Sequence, residues 1–401
     1  MRPFRFLFLA ALAGGLAPGA HAQAAKPRTE NVVLVTLDGM RWQEVFGGAD
    51  SALFRQSKYY YADRKALQKD FGQGLPEQRR QALMPFLWGT VAKQGQLYGN
   101  RTAGSLVDVT NKMRFSYPGY NEILTGAPDD ARIRSNDPLD NPNASVLEIL
   151  NQQPTFKGKV AVFGSWEAFP YILNEKRSGL PVNAGMRPAP GPGLSPQELV
   201  LNELLPATPS PFGEERLDAF TDQYALAYLK RKKPRVLYIG FGDTDDFAHG
   251  GEYGAYLHAA RYTDDFLRQL WAYLQSDPQY RGKTTLLITT DHGRGVAGTQ
   301  WQTHGADVAG ADQIWFAALG PDTPATGEAR SGQLYQNQVA ATLAQLLGVP
   351  YAPTPATGKS IEAVLGRRAP GKKLGRRPEA PLTGHALAPS WRNDGNVTTG
   401  E

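Results

Sequence analysis

Five short apolar runs constrain this chain most: residues 31–37, 159–164, 235–239, 284–290 and 313–319, each rich in apolar and β-branched residues and bounded by Gly, Asp or Pro. A strand buried on both faces reads as a continuous apolar run and not as an alternation, so these segments predict buried strands of a largely parallel sheet. Between them lie segments with helical apolar spacing, at 78–93, 145–151, 217–230, 254–275 and 334–347. Strand alternating with helix predicts an α/β layered fold, with a central, mostly parallel sheet flanked by helices on both faces. The chain has 401 residues, enough for one large catalytic domain, expected over 23–365. Residues 179–215 are rich in Pro and Gly and read as a long surface loop or cap edge. No repeat of ~20–50 residues interrupts this pattern.

The two ends differ from the middle. Arg2 and Arg5, the apolar stretch from Phe6 to Leu12 and Ala20-His21-Ala22 have the layout of a cleaved secretory signal over 1–22; the alternative is an uncleaved anchor. Residues 366–401 combine paired basic residues, prolines and few apolar side chains, and read as a mobile tail. The formal charge of +5 resides in these ends. Removing both from the 43 Lys/Arg and 38 Asp/Glu leaves 34 and 35, so the core carries no nucleic-acid footprint. There is no cysteine, which excludes disulfides, a thiolate nucleophile and Cys-type zinc sites. Export without cysteine suits a bacterial periplasm or outer surface.

In open α/β sheets, ligands bind outside the carboxyl ends of the strands, and this chain places its unusual residues there. The first run ends in Asp38-Gly39, the third leads into Asp243-Thr244-Asp245-Asp246-Phe247-Ala248-His249, and the fourth into Asp291-His292-Gly293, with Thr303-His304-Gly305 a little downstream. Three of the six histidines fall in these clusters beside acids. Carboxylate with imidazole is the ligand set of zinc and related divalent ions. Asp245 and His249, four residues apart, share one face of a helical turn. One such cluster alone is more often a solvated or capping pair; three, each after a strand, point to a metal centre.

The nucleophile candidate is Ser116, in Phe115-Ser116-Tyr117-Pro118-Gly119-Tyr120-Asn121. Pro118 suits the first turn of a helix, whose free N–H groups attract an anion. A serine there either caps the helix or, beside a metal, attacks an ester. Together, Asp38, Ser116 ahead of Thr125-Gly126, Asp245-x-x-x-His249, Asp291-His292-Gly293 and His304-Gly305 resemble the alkaline phosphatase superfamily, in particular its nucleotide pyrophosphatase/phosphodiesterase branch. The resemblance spans 31–365, with strict matches confined to the motifs.

The resemblance implies two divalent ions, zinc first, with manganese and iron as alternatives. Asp245, His249 and His304 would hold one; Asp38, Asp291 and His292 the other, with Ser116 reaching it as nucleophile. The activity implied is hydrolysis of a phosphate monoester or diester of a small molecule or headgroup, through a covalent phosphoseryl intermediate. The branch's phosphoryl-binding Asn is expected three residues after the nucleophile, where this chain has Gly119; Asn111, first, or Arg114 or Asn121 would take over that contact. Asp243 and Asp246 crowd Asp245, which leaves the register of that ligand open by one position. The runs 37–42 and 164–169 are aromatic-rich and read either as the wall of a cleft for an organic group or as core packing. Ser116-x-Pro118-x-Tyr120 also echoes the sulfatase signature, in which the last position is Arg. A sulfatase, or a non-hydrolytic binding or transfer protein for a phosphoryl headgroup, are the alternatives.

Overall fold

The computed structural model describes residues 28–56, 63–213, 215–296 and 298–366. The expected signal segment 1–22 and the basic tail beyond Gly366 lie outside the described residues. Among the described residues ten strands form: β1 Asn31–Leu37, β2 Gln96–Tyr98, β3 Ser105–Asp108, β4 Val160–Gly164, β5 Val182–Ala184, β6 Val236–Phe241, β7 Thr284–Thr289, β8 Phe316–Leu319, β9 Gly327–Glu328 and β10 Gly332–Tyr335. Eight of them make one sheet in the order β5-β4-β6-β1-β7-β8-β2-β9. From β5 to β7 every pairing is parallel; β8 runs antiparallel to both β7 and β2. β3 and β10 pair parallel as a separate ribbon.

β1 shows why the runs are continuous. Val33, Val35 and Leu37 enter one hydrophobic cluster and Val32 and Leu34 the other, because successive side chains point to opposite faces. On the first face Tyr224 and Leu229 of the Asp218–Lys232 helix and Tyr256 and Leu267 of the Tyr253–Ser276 helix join the cluster. On the second, Ile123, Leu147 and Leu343 contribute from the Ser116–Thr125, Val146–Gln152 and Val339–Leu346 helices. Each such side chain contributes about 1.5–3 kcal/mol on leaving water, so the sheet is held between two helical layers, the architecture expected. Among the described residues no helix is long and apolar enough to cross a membrane.

Three expectations are corrected. The helix expected over 78–93 is interrupted: Pro76–Leu83 is followed by a π-turn at Leu87–Val91. Pro85 has no N–H to continue the ladder, and the buried Asp264 carboxylate accepts the amides of Phe86 and Leu87 at 2.6 and 2.9 Å. The helix expected over 334–347 is only Val339–Leu346, because Leu334 belongs to β10. The segment 179–215 is not simply loop. It carries β5 and a Pro196–Leu204 helix whose Ser195 cap and Glu198 form a capping box with Pro196 at the first position. That signature, Ser-Pro-Gln-Glu, lay in the sequence beneath the Pro/Gly background.

Candidate metal centre and nucleophile

The strands β6, β1 and β7 are adjacent and parallel, so their carboxyl ends open on one edge. Asp38 follows β1 directly, the Asp243–His249 helix starts just after β6, and Asp291-His292 follow β7 by one residue. Gly39 allows the sharp exit from β1: its φ is +57°, and its N–H donates to Asp291 Oδ1 at 3.0 Å. Thr244 Oγ donates to the Asp38 carbonyl at 2.5 Å, which ties the β6 helix to the end of β1.

Two groups of donor atoms result, Asp38/Asp291/His292 and Asp245/His292/His304, each with its atoms within 4.8 Å of one another. His292 stands between them. Its Nε2 lies 3.2 Å from Asp38 Oδ1, 3.4 Å from Asp291 Oδ2 and 3.7 Å from Asp245 Oδ1. His249 joins the second group, with Nε2 3.0 Å from Asp245 Oδ2 and 2.9 Å from His304 Nε2. All six expected ligands therefore converge. Of the neighbouring acids, Asp243 turns away and accepts the Asp218 amide at 3.1 Å, while Asp246 borders the same cavity as Asp245 but is in neither group.

The donor atoms fit divalent cations. His292 Nδ1 faces the Gly293 carbonyl at 2.9 Å and His304 Nδ1 the Arg114 carbonyl at 3.3 Å. A proton held there leaves each Nε2 bare and aimed into the cluster, the arrangement of metal-ligating histidines. Among the described residues Asp38 Oδ1 and Asp291 Oδ2 are buried with no neighbour but the shared His292 Nε2 to meet their charge, a costly state unless a cation meets them. Burial, and then the Asp38 charge, pushes the Asp291 carboxyl well above its ordinary range. Burial depresses His292, but Asp291 and Asp38 more than reverse this and raise it to about 9. So many acids around one imidazole call for positive charge.

Ser116 is the first residue of its helix and 6% exposed, with Oγ 3.4 Å from His292 Nε2. It is not the cap; that position is Phe115, which makes no side-chain capping bond. The helix presses its second turn onto the β7 exit: a Cβ on Gly119 would stand 2.4 Å from the Asp291 carbonyl oxygen. No Asn fits at this position. Next to it, Tyr120 donates its hydroxyl to Asp38 Oδ2 at 2.9 Å and leaves Oδ1 toward the donor cluster.

The three proposed substrate contacts are placed otherwise. Asn111 donates to Glu122 Oε2 and accepts the Arg114 amide, both at 2.8 Å, and so braces its own loop. Asn121 donates to the Ala127 carbonyl at 3.0 Å and accepts from Asn141 and Asn143 at 3.2 Å. Arg114, in the left-handed region at φ +56°, reaches the Ala306 carbonyl at 3.2 Å. The amide beside the nucleophile is Asn136, which had no sequence signal in its polar, Pro-containing loop. Asn136 accepts the Tyr117 N–H at 2.9 Å through Oδ1. It lines a cavity of about 190 Å³ together with Ser116, Asp38, His249 and His304. Asn136 and Trp166 also border a second cavity of about 560 Å³, walled by Tyr171, Met186 and Glu167. Of the two aromatic runs, 164–169 thus supplies a cleft wall through Trp166. In the other run, Trp42 packs against the core and donates to Gln313 Oε1 at 3.0 Å.

A layered α/β fold with Asp/His clusters and a serine at the carboxyl edge of its sheet defines a hydrolase of the alkaline phosphatase superfamily. The Sulfatase family model matches residues 30–349, and the chain belongs to that family. No curated protein matches the sequence. Among solved structures it is similar to the wild-type alkaline phosphatase PafA, at 12% identity over 85% of this chain and 100% of that one, TM-score 0.53. It is similar to the phosphonate monoester hydrolase SpPMH from Silicibacter pomeroyi, at 13% over 85% and 78%, TM-score 0.52. A putative sulfatase from Bacteroides thetaiotaomicron gives 14% over 85% and 75%, TM-score 0.53. At such identities the likeness is one of fold. Members of the superfamily act on phosphate or sulfate esters and use divalent metal ions, and the Asp/His groups here could bind one.

Proposed function

We propose that this protein is an exported two-metal hydrolase of phosphate esters, with Ser116 as nucleophile. The observation that carries the reading is the pair of Asp/His groups meeting at His292, whose Nε2 lies 3.4 Å from Ser116 Oγ. Asp245, His249 and His304 would hold one ion and Asp38, Asp291 and His292 the other. Such a pair supplies charge stabilisation for the attacking and leaving oxygens and lowers the pKa of a bound hydroxyl.

The chain's own groups do the rest. The helix N-terminus behind Ser116 and the Asn136 amide face the non-bridging oxygens of the bound ester. Ser116 Oγ attacks phosphorus, the alcohol departs with the electron pair of the broken P–O bond and a proton, and a phosphoseryl group forms. Water then attacks that phosphorus and releases phosphate or a monoester, with Ser116 regaining its proton. Trp166 and Asn136 line both the cavity at Ser116 and the larger one, which suits the organic group of the ester. Mutation of Ser116 to Ala, assayed on p-nitrophenyl phosphate and its bis ester, tests the assignment: turnover is lost on whichever ester the wild type cleaves, and unchanged turnover refutes it.

The sulfatase reading retains one supporting observation, the Ser116-x-Pro118 pair within a Sulfatase-family chain. Against it, Tyr120 stands where that signature has Arg, and its hydroxyl is engaged by Asp38. Mass spectrometry of the Ser116 peptide separates the two, because a sulfatase requires formylglycine there and a serine nucleophile requires none. Export rests on the leader at 1–22, and N-terminal sequencing of the mature chain tests it.

A further inference from the structure

Arg294 lies two residues beyond His292, and no motif singled it out. Its side chain is 1% exposed. Nη1 contacts Asp245 Oδ1, Nε donates to the Trp301 carbonyl at 2.8 Å, and Nη2 to the Gln302 carbonyl at 2.5 Å. One planar guanidinium thus joins a carboxylate on the β6 helix to the loop that delivers His304.

The surroundings fix both ends of this bridge. Trp301 is fully buried, its ring 5.1 and 5.7 Å from those of Tyr253 and Tyr256, so its carbonyl cannot swing away. The Gly295 amide donates to the Thr303 carbonyl at 3.1 Å and holds the loop down one residue before His304. A Cβ on Gly39 would stand 2.5 Å from Asp245 Oδ1 and 2.7 Å from Arg294 Nη1; the absent side chain at this glycine is what admits the pair. Arginine suits the task because its fork reaches three acceptors in one plane and keeps its charge when buried.

We infer that Arg294 is a positioning residue for one of the two metal sites. It orients Asp245 and anchors the His304 loop, so that ligands from two separate elements meet at one point. The other site, Asp38/Asp291/His292, has no direct bond to Arg294 among the contacts of the described residues. The inference rests on the two-metal reading above, and its consequence is asymmetric: loss of Arg294 weakens one ion and spares the other.

The test is competitive chelator titration of the zinc-loaded full chain, with bound zinc counted by mass spectrometry, on wild type, Arg294→Met and Arg294→Lys. Wild type is expected to release two equivalents. In Arg294→Met one equivalent is expected to leave about 10- to 100-fold more readily, the usual effect of removing a group that orients a ligand, while the second holds its wild-type affinity. Arg294→Lys restores the charge and one donor but not the fork, so it falls between. It also decides the matter if the Met variant does not fold. Wild-type affinity at both sites in Arg294→Lys and Arg294→Met overturns the inference, and so does an equal loss at both, which marks general loosening. A wild type that binds no zinc overturns the metal reading itself and is recognised as that distinct failure.

Discussion

Gly119→Ala tests how closely the nucleophile helix is fitted to the metal ligands. The added Cβ would lie 2.4 Å from the Asp291 carbonyl oxygen and 2.9 Å from its carbon, both backbone atoms. An ordinary contact of about 3.4–4 Å requires the Ser116–Thr125 helix and the β7 exit to part by roughly 1 Å. No rotamer change relieves this, because neither atom belongs to a flexible side chain. Overpacking of this kind costs about 1–3 kcal/mol in stability. A displacement of about 1 Å between reacting groups costs about 10²-fold in rate, and here it separates Ser116 Oγ from His292. The assay pairs guanidinium unfolding with kcat/KM on the better p-nitrophenyl ester. The expected outcome is a folded variant with a lowered midpoint and about 10²-fold lower kcat/KM. A variant within twofold of wild type on both counts would show that helix and ligand loop are not rigidly registered.

Asn136→Asp keeps an oxygen for the Tyr117 amide but removes the donor that faces the anion, so kcat/KM and vanadate affinity should drop about 10²–10³-fold with an unchanged melting temperature; if only Asn136→Ala is impaired, the residue merely braces the helix. Tyr120→Phe removes the hydrogen bond to Asp38 Oδ2, and chelator titration should show about 10–100-fold weaker retention of one metal ion. Away from the site, burial raises the Asp264 carboxyl to about 7 against the pull of the Phe86 and Leu87 amides. The folded chain therefore binds a proton that the unfolded chain has released, and stability falls as pH rises from about 4 to about 7, by up to about 4 kcal/mol. Denaturant melts in chelator at pH 5 and 8 check this; Asp222 and Asp246, also raised by burial, add to the difference, so Asp264→Asn should shrink it without abolishing it, and an unaltered difference assigns it to those groups.

Five strands, β1, β4, β6, β7 and β8, and the six Asp/His residues were legible because both signals are local; the short β2, β3, β5, β9 and β10 carry no such run. A strand buried on two faces must be apolar throughout, and strand ends are where such sheets place ligands. Asp38, Asp245 with His249, and Asp291 with His292 stand just after their own strands, so adjacency of β6, β1 and β7 brings these five together; His304 arrives on the loop after residues 298–302. What was not legible depends on contacts between distant segments. Asn136 comes to line the cavity at Ser116 in company with the hydrogen bond that its oxygen accepts from the Tyr117 N–H. Asn111 and Asn121 look equally available in sequence, yet fold into hydrogen bonds with Glu122, Asn141 and Asn143. Gly119 reads as a lost contact and is in fact a point of close approach to Asp291. The break at Leu87 needed Asp264, 177 residues away, and local periodicity carries no trace of it.

The central claim is that Ser116 attacks phosphorus within the Asp/His cluster. Rapid acid quench during turnover of a phosphate ester, followed by peptide mass spectrometry, addresses it directly. A transient phosphoryl group on Ser116, absent in Ser116→Ala, is the expected result. Sustained turnover with Ser116 unmodified at every time point, or with formylglycine in its place, would contradict it.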